Sequence, residues 1–145
     1  MRYFIDTNVW LYALIETREA DRTRIAQEIV GKPDVVISVQ VINELCVNLL
    51  RKARVPEDDI AGIIEDLYRT RHVVPTDMKI LLSASTLRRQ HGFSFWDSLI
   101  VAAALFSRAE ILCSEDMQHG MVLDGRLRIV NPFLPAEPKE HLGNK

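Results

Sequence analysis

The stretch that decides the fold is RYFIDTNVW, residues 2–10, near the start of the chain. Its Tyr3–Ile5 segment contains no charged residue and predicts a short, fully buried central strand. Asp6, Thr7 and Asn8 follow at once, and then an apolar pattern with helical spacing begins. This order places the Asp6 carboxylate at the carboxyl edge of a sheet, which is where open α/β sheets bind their ligands.

Length and composition predict one globular domain. The chain has 145 residues, of which 48% are hydrophobic and 26% are charged, as is ordinary for soluble domains. Its formal net charge of −2 provides no overall basic field for nucleic acid, although a local patch would be enough. Cys46 and Cys113 lie in apolar runs without the spacing of a zinc site, so we expect unpaired thiols in a reducing compartment.

The start of the chain predicts a strand rather than a signal peptide. Asp6 interrupts the apolar run, and no cleavage site of small residues follows it. No apolar run approaches the roughly 20 residues that a membrane-spanning helix needs. We therefore expect no membrane association and a cytoplasmic location.

Short apolar strands alternate with amphipathic helices along the chain. The expected strands cover residues 3–5, 35–38, 72–75, 111–114 and 127–130. The expected helices begin at residue 9, at residue 25 after a charged loop over 16–24, at 39 (ending at 54), at Pro56, after a Thr76 cap (ending at Gly92), and at 98 (ending at 107). This alternation predicts a parallel sheet with helices on both faces. Residues 134–145 are expected to form a loosely held tail.

Four acids stand out by their positions, and each has a purely structural alternative. Asp6 could cap the first helix, and Glu44 could be a solvated helix residue. Asp97 stands three residues after Ser94, so the pair could form a capping box. Asp116 could belong to an Asx-type turn after the fourth strand.

The joint arrangement of these acids favours a shared site. Asp6 and Asp116 follow two strands that end at the same sheet edge. Glu44 lies in the first two turns of the helix that follows the strand at residues 35–38, so it is near that edge too. The position of Asp97 relative to them depends on the fold. Carboxylates packed together raise one another's pKa, and a divalent cation relieves the repulsion. Oxygen ligands without Cys or clustered His favour Mg²⁺ or Mn²⁺ over zinc.

These residues resemble the motifs of the PIN domain. The resemblance rests on Asp6-Thr7-Asn8, on Glu44, on FWDSLI at residues 95–100, and on Ser114-Glu115-Asp116. More narrowly, the chain is similar to VapC-type toxins, which are ribonucleases of toxin–antitoxin systems. The resemblance covers residues 1–133 and implies a PIN domain there, with a three-layer α/β/α, Rossmann-like fold around a short, mainly parallel sheet.

The chain departs from the family pattern in its last motif. The family commonly has Thr two residues before the final Asp, whereas this chain has Ser114, which keeps the hydroxyl. Glu115 is an additional acid to which the sequence assigns no role. It could point away from the site, because neighbours on an extended segment face opposite ways.

The resemblance implies a metal-dependent endoribonuclease that leaves 5′-phosphate and 3′-hydroxyl ends. Asp6, Glu44, Asp97 and Asp116 would hold one or two Mg²⁺ or Mn²⁺ ions, with Asp6 and Asp97 as direct ligands. Glu44 would be a ligand or orient the attacking water, and Asp116 would act through water. The residues expected to orient these carboxylates are Thr7, Asn8 and Ser114. The implied partners are an RNA substrate, a second copy in a homodimer, and a small antitoxin protein.

Other functions remain open at this stage. An aspartyl-phosphate enzyme could use Asp6 as nucleophile, but such phosphohydrolases usually have a second Asp at the place of Asn8. A non-catalytic module could bind RNA or protein with the same fold. Trp10 and Trp96 could stack on bases, but their apolar neighbours favour core positions. Basic residues that we interpret as solvated helix ends rather than RNA contacts are Arg51, Lys52, Arg54, Arg69, Arg71, Arg88 and Arg89.

Overall fold

The computed structural model describes residues 1–15 and 18–135. The predicted domain, residues 1–133, falls within this range except for residues 16 and 17. Most of the predicted tail, residues 136–145, lies outside the described residues. No helix in the described part of the chain is long and apolar enough to span a membrane.

A six-stranded sheet, parallel except at one edge, forms the centre of the molecule. In chain order the strands are β1 (Tyr3–Ile5), β2 (Val35–Ser38), β3 (His72–Val74), β4 (Ile111–Cys113), β5 (Val122–Leu123) and β6 (Leu127–Val130). Their spatial order is β3-β2-β1-β4-β6-β5, and only the β5–β6 pair is antiparallel. The first strand therefore lies between β2 and β4, and the ends of these three strands meet at one edge.

Within residues 1–15 and 18–135, six helices cover the sheet and complete the three-layer α/β/α arrangement. They are α1 (Thr7–Leu14), α2 (Ala20–Val30), α3 (Val39–Arg51), α4 (Glu57–Thr70), α5 (Met78–His91) and α6 (Phe95–Phe106). Helix α1 packs against α2 and α3, while α5 packs against α6. The predicted fold class is thus confirmed.

The core is built from the central strands and α6. Phe4, Ile5, Val36 and Ile37 are completely buried, as their position in a sheet covered on both faces requires. Helix α6 is buried over residues 98–105 because it is apolar on all sides. Cys46 and Cys113 are both free thiols, as expected.

Several predicted element boundaries are wrong. Helix α2 begins at Ala20 rather than after residue 24, and α3 ends at Arg51 rather than at residue 54. Asp77 caps α5 instead of Thr76: its carboxylate accepts a hydrogen bond from the Ile80 backbone N–H at 3.1 Å. A run of charged residues can be helical or not, as long as its side chains stay in water. Charge density alone therefore misplaces the start of α2 and the end of α3.

The start of α6 also differs from the prediction. The helix begins at Phe95, three residues earlier than expected, because the Ser94 hydroxyl accepts the Asp97 backbone N–H at 3.2 Å. The Ser94 half of the suggested capping box is therefore present. This early start puts Trp96 on the first turn, where 58% of its surface is exposed. The expectation of a core position holds for Trp10, which is 3% exposed, and is wrong for Trp96.

The sequence interpretation missed strand β5. Asp124 and Gly125 have φ angles of 50° and 65° and turn the chain back onto β6. An Asp-Gly pair between two apolar segments is a strong hairpin signal, so this element was predictable. The strand was nevertheless missed because it is only two residues long.

Candidate active site at the carboxyl edge of the sheet

Asp6 lies at the centre of the site, between the end of β1 and the start of α1. Its side chain is 7% exposed. One carboxylate oxygen accepts the Thr7 backbone N–H at 2.7 Å, and the other accepts the Ser114 hydroxyl at 2.8 Å. Asp6 is the N-cap of α1, so the structural alternative proposed for it is also realised. The cap uses one oxygen and leaves the other directed toward the end of β4.

The pKa of Asp6 is raised from 3.8 to about 6. Burial is the main cause, and the nearby charges of Glu44 and Asp97 raise it further. The hydrogen bonds from Ser114 and Thr7 act in the opposite direction. The carboxylates of three different segments are therefore close enough to influence one another electrostatically.

Glu44 projects toward Asp6 from the second turn of α3. Its Oε1 accepts the Thr7 hydroxyl at 3.2 Å, and its Oε2 accepts the Gln40 side-chain amide at 2.8 Å. Thr7 thus connects two acids, since its backbone N–H binds Asp6 and its hydroxyl binds Glu44. Asn48, one turn further along α3, donates to the Glu44 backbone carbonyl at 2.8 Å.

Asp97 and Asp116 approach from the other side of the site. They line the same cavity, which has a volume of about 230 Å³. The pKa of Asp97 is raised by burial and by the charge of Asp116, against a lowering by hydrogen bonding with Ser94. Asp116 is exposed and accepts the Asn8 side-chain amide at 2.5 Å.

The residues expected to orient the carboxylates each contact one of them. Ser114 donates to Asp6, Thr7 donates to both Asp6 and Glu44, and Asn8 donates to Asp116. The structure therefore brings together all seven site residues suggested by the sequence. Their metal-binding and catalytic roles remain predictions.

Glu115 belongs to a different cluster. Its carboxylate forms an ion pair with Arg22 and accepts the Tyr12 hydroxyl at 3.4 Å. The Arg22 guanidinium also lies over the Phe133 ring, 4.9 Å from its centroid. Glu115 thus connects α2 to the end of β4, and it lines a cavity that also contains Asn8.

The donor chemistry of the site suits Mg²⁺ or Mn²⁺, because every charged group that converges on Asp6 is a carboxylate. Residues 1–15 and 18–135 nevertheless contain no group of three or more acids, histidines or cysteines arranged to hold a metal ion. The hydrogen bonds from Thr7, Ser114, Gln40 and Asn8 already occupy carboxylate oxygens. A metal ion would bind at the lone pairs that these donors leave free on the carboxylate oxygens.

Comparison with known proteins identifies the family. Residues 3–120, most of the chain, match the family model described as the PIN domain. This chain belongs to the PIN-domain family. The match includes Asp6, Glu44, Asp97 and Asp116 within its limits. No curated protein sequence matches this PIN domain.

Solved structures with the same PIN fold include several toxins. A toxin–antitoxin complex from Klebsiella pneumoniae aligns with a TM-score of 0.65 and 20% identity, over 90% of this chain and 98% of the other. Mycobacterium tuberculosis VapC20, described as a sarcin–ricin loop cleaving toxin, aligns with a TM-score of 0.61 and 20% identity, over 76% of this chain and 86% of the other. Rickettsia felis VapBC2, bound to a promoter DNA fragment, aligns with a TM-score of 0.61 and 18% identity, over 89% of this chain and 98% of the other. At these identities the likeness establishes the fold.

Two residues around this PIN-domain site were not assigned to it from the sequence: Gln40 was not considered, and Trp96 was interpreted as a core residue. Gln40 holds Glu44, and the signal for it was available because residues four apart face each other on a helix. Trp96 borders the same region, but its exposure follows from the exact start of α6 and from how that helix packs. Periodicity alone does not supply this information.

Proposed function

We propose that this PIN domain is a metal-dependent endoribonuclease that hydrolyses RNA phosphodiester bonds, and that it is the toxin of a type II toxin–antitoxin pair. The observation that carries the proposal is the burial of Asp6 beside two further acids, which raises its pKa to about 6. A fold gains nothing in stability from such an arrangement of like charges. A cation-dependent activity explains why the acids lie together despite their mutual repulsion.

Mg²⁺ or Mn²⁺ would be held by Asp6, Glu44, Asp97 and Asp116. When bound, such an ion supplies a water of lowered pKa and stabilises the charge that develops on the phosphate oxygens. Asp6 and Asp97 are the proposed direct ligands, Glu44 a ligand or the group that orients the water, and Asp116 a group that acts through water. The carboxylates lie on four separate segments, so the fold must form before the site does.

The neighbouring residues of the chain keep these acids in place. Ser114 and Thr7 fix both oxygens of Asp6, and Thr7 with Gln40 fixes Glu44. Hydrogen-bonded neighbours of this kind restrict the orientation of metal ligands and strengthen binding. Ser114 and Thr7 also stabilise the charged form of Asp6, because both contacts lower its pKa.

The proposed partners follow from the relatives. Similar structures from Klebsiella pneumoniae and Rickettsia felis are toxin–antitoxin complexes, so a small antitoxin is the proposed inhibitor of this chain. A homodimer is proposed from the resemblance to VapC-type toxins alone, and an RNA substrate also from Mycobacterium tuberculosis VapC20, which is described as a sarcin–ricin loop cleaving toxin. A cytoplasmic location would bring the protein together with both.

A non-catalytic binding module is the second candidate. The observation in its favour is that protein donors occupy carboxylate oxygens of Asp6, Glu44 and Asp116, and the described residues present no preformed metal cluster. An aspartyl-phosphate mechanism is less favoured. Both oxygens of Asp6 are hydrogen-bonded and the side chain is 7% exposed, which hinders attack on a phosphoryl group.

The test is cleavage of a labelled RNA pool with Mn²⁺, with Mg²⁺ and with EDTA. Asp97→Asn removes a proposed ligand but can still accept a hydrogen bond, and Asp58→Asn is the matched control on the exposed first turn of α4. We expect metal-dependent cleavage by the wild type and by Asp58→Asn, and none by Asp97→Asn. Equal cleavage by Asp97→Asn would refute the proposed site. Absence of both cleavage and metal binding in the wild type would support the binding module.

A further inference from the structure

A pocket with a volume of about 410 Å³ opens beside Glu44 and is bordered by an exposed tryptophan. Trp96 is 58% exposed and comes from the first turn of α6, while the opposite wall comes from α3. The Phe95 ring contacts Trp96 in a T-shaped arrangement at a centroid distance of 5.1 Å, and more than half of the Trp96 surface is open to solvent. We call this cavity the Trp96 pocket; its lining residues are Gln40, Asn43, Glu44, Val47, Asn48 and Trp96.

The polar lining of the Trp96 pocket consists largely of side-chain amides. Gln40 and Asn48 each use their N–H₂ group on Glu44, so their carbonyl oxygens are left to accept from a ligand. Asn43 is exposed and makes no side-chain hydrogen bond within the described residues. Amides that offer both donors and acceptors beside an aromatic face are suited to the edge and the face of an unpaired nucleobase.

A second cavity, of about 260 Å³, adjoins the Trp96 pocket because Asn48 lines both. It is also lined by Asn8, the partner of Asp116, by Lys52, which follows α3, and by Glu115, whose carboxylate is paired with Arg22. A cation in this position complements a phosphodiester backbone. A strand that placed one base in the Trp96 pocket could therefore extend past Glu44 toward Lys52.

We propose that the Trp96 pocket binds one unpaired nucleobase of a single-stranded RNA, which stacks on Trp96 while the amides hydrogen-bond its edge. The proposal rests on the proposed nuclease function, because the pocket shares Glu44 with the site of cleavage. It assigns to this chain a base subsite next to the scissile phosphate. Stacking on an aromatic residue accepts any base, so the amides provide the discrimination.

Binding in EDTA tests the subsite without requiring cleavage. The full chain is titrated with a short fluorescein-labelled RNA of random sequence, and with an abasic ribose-phosphate chain of the same charge. The variants are Trp96→Leu, Trp96→Phe, and Phe106→Leu as an exposed aromatic control at the other end of α6. Intrinsic emission provides a second readout, since the only other tryptophan, Trp10, is buried in the core.

We expect Trp96→Leu to weaken RNA binding by about 5- to 160-fold, which corresponds to the loss of one stacked base. Trp96→Phe should retain most of the affinity, Phe106→Leu all of it, and the abasic chain should bind every variant equally. RNA should quench the emission of the wild type and leave that of Trp96→Phe unchanged. Equal RNA affinity of Trp96→Leu and wild type would overturn the proposal.

Three results that would overturn the proposal differ in what they say about the nuclease. A loss of homodimer in sedimentation of Trp96→Leu would make the pocket a contact between protein chains. If the wild type cleaves RNA with Mn²⁺ and Trp96→Leu binds and cleaves equally well, the subsite is wrong and the nuclease stands. If the wild type neither binds nor cleaves RNA, both proposals fail.

Discussion

The Ser114 hydroxyl donates a 2.8 Å hydrogen bond to Oδ2 of Asp6, across the ends of two neighbouring parallel strands. Both residues are almost fully buried, Ser114 at 0% exposure and Asp6 at 7%. The same hydroxyl accepts the Met117 backbone N–H at 3.3 Å, so it also organises the loop that carries Asp116. One small side chain therefore connects three parts of the candidate site.

Replacing Ser114 by Ala should destabilise the protein by about 1–3 kcal/mol, because a buried carboxylate oxygen and a backbone N–H lose their partner. The pKa of Asp6 should rise further, since the Ser114 hydrogen bond lowers it. Urea unfolding at neutral pH measures the first effect. Ser114→Thr keeps the hydroxyl and is the matched control; a loss of stability as large as that of the Ala variant would show that shape, not the hydrogen bond, matters there.

Asp6→Asn should stabilise the metal-free protein at pH 7. The pKa of Asp6 is higher in the folded state, at about 6, than the 3.8 of an exposed Asp. The folded state therefore binds the proton more strongly, so the contribution of Asp6 to stability is full below about pH 4 and is lost as pH rises through about 6. A pKa difference of about 2 corresponds to a loss of about 3 kcal/mol.

The measurement is the free energy of unfolding of wild type and Asp6→Asn in EDTA between pH 4 and pH 7. The neutral amide does not ionise, so the stability difference between the two proteins should change by up to about 3 kcal/mol in favour of the variant as pH rises. The variant should also be inactive in RNA cleavage. A constant difference across this pH range would contradict the raised pKa of Asp6.

Mn²⁺ should raise the melting temperature of the wild type. At a free metal concentration of about 100 times Kd, binding to the folded state alone adds about 2.7 kcal/mol, or roughly 5–10 °C for a domain of this size. Asp97→Asn should lose most of the increase, and Asp58→Asn should retain it. Calorimetry with Mn²⁺ and with Ca²⁺ as a second hard cation checks this; equal shifts in all three proteins would place the metal elsewhere.

Glu115→Gln should lower stability without abolishing RNA cleavage. The Arg22–Glu115 pair is only partly exposed, at 35% and 21%, and Tyr12 shares it. Loss of one charge from such a pair should cost about 1 kcal/mol, between the values for exposed and buried pairs. Urea unfolding and the RNA assay are run in parallel. Loss of metal-dependent cleavage comparable to that of Asp97→Asn would assign Glu115 to the active site.

The elements that were predicted correctly are those with strong local patterns. The first two strands, at residues 3–5 and 35–38, follow from uninterrupted apolar runs, and both have the expected bounds. Two of the boundaries that were missed, at the starts of α5 and α6, depend on caps: Asp77 replaces Thr76, and Ser94 starts α6 early. Several polar residues next to each end can serve as a cap, and tertiary packing selects among them.

The sequence by itself determined the order of the helices and of every strand except β5, the family motifs, and the presence of Asp6, Glu44 and Asp116 near the carboxyl edge. These depend on residue types and short spacings that the chain carries locally. Only the tertiary structure decided that Thr7 bridges Asp6 to Glu44, which follows Thr7 by 37 residues in the sequence. It also decided that Glu115 pairs with Arg22 and that Trp96 faces outward beside Glu44. Such contacts depend on how helices pack across the sheet, and that packing follows from the summed burial of many distant side chains rather than from any one local pattern.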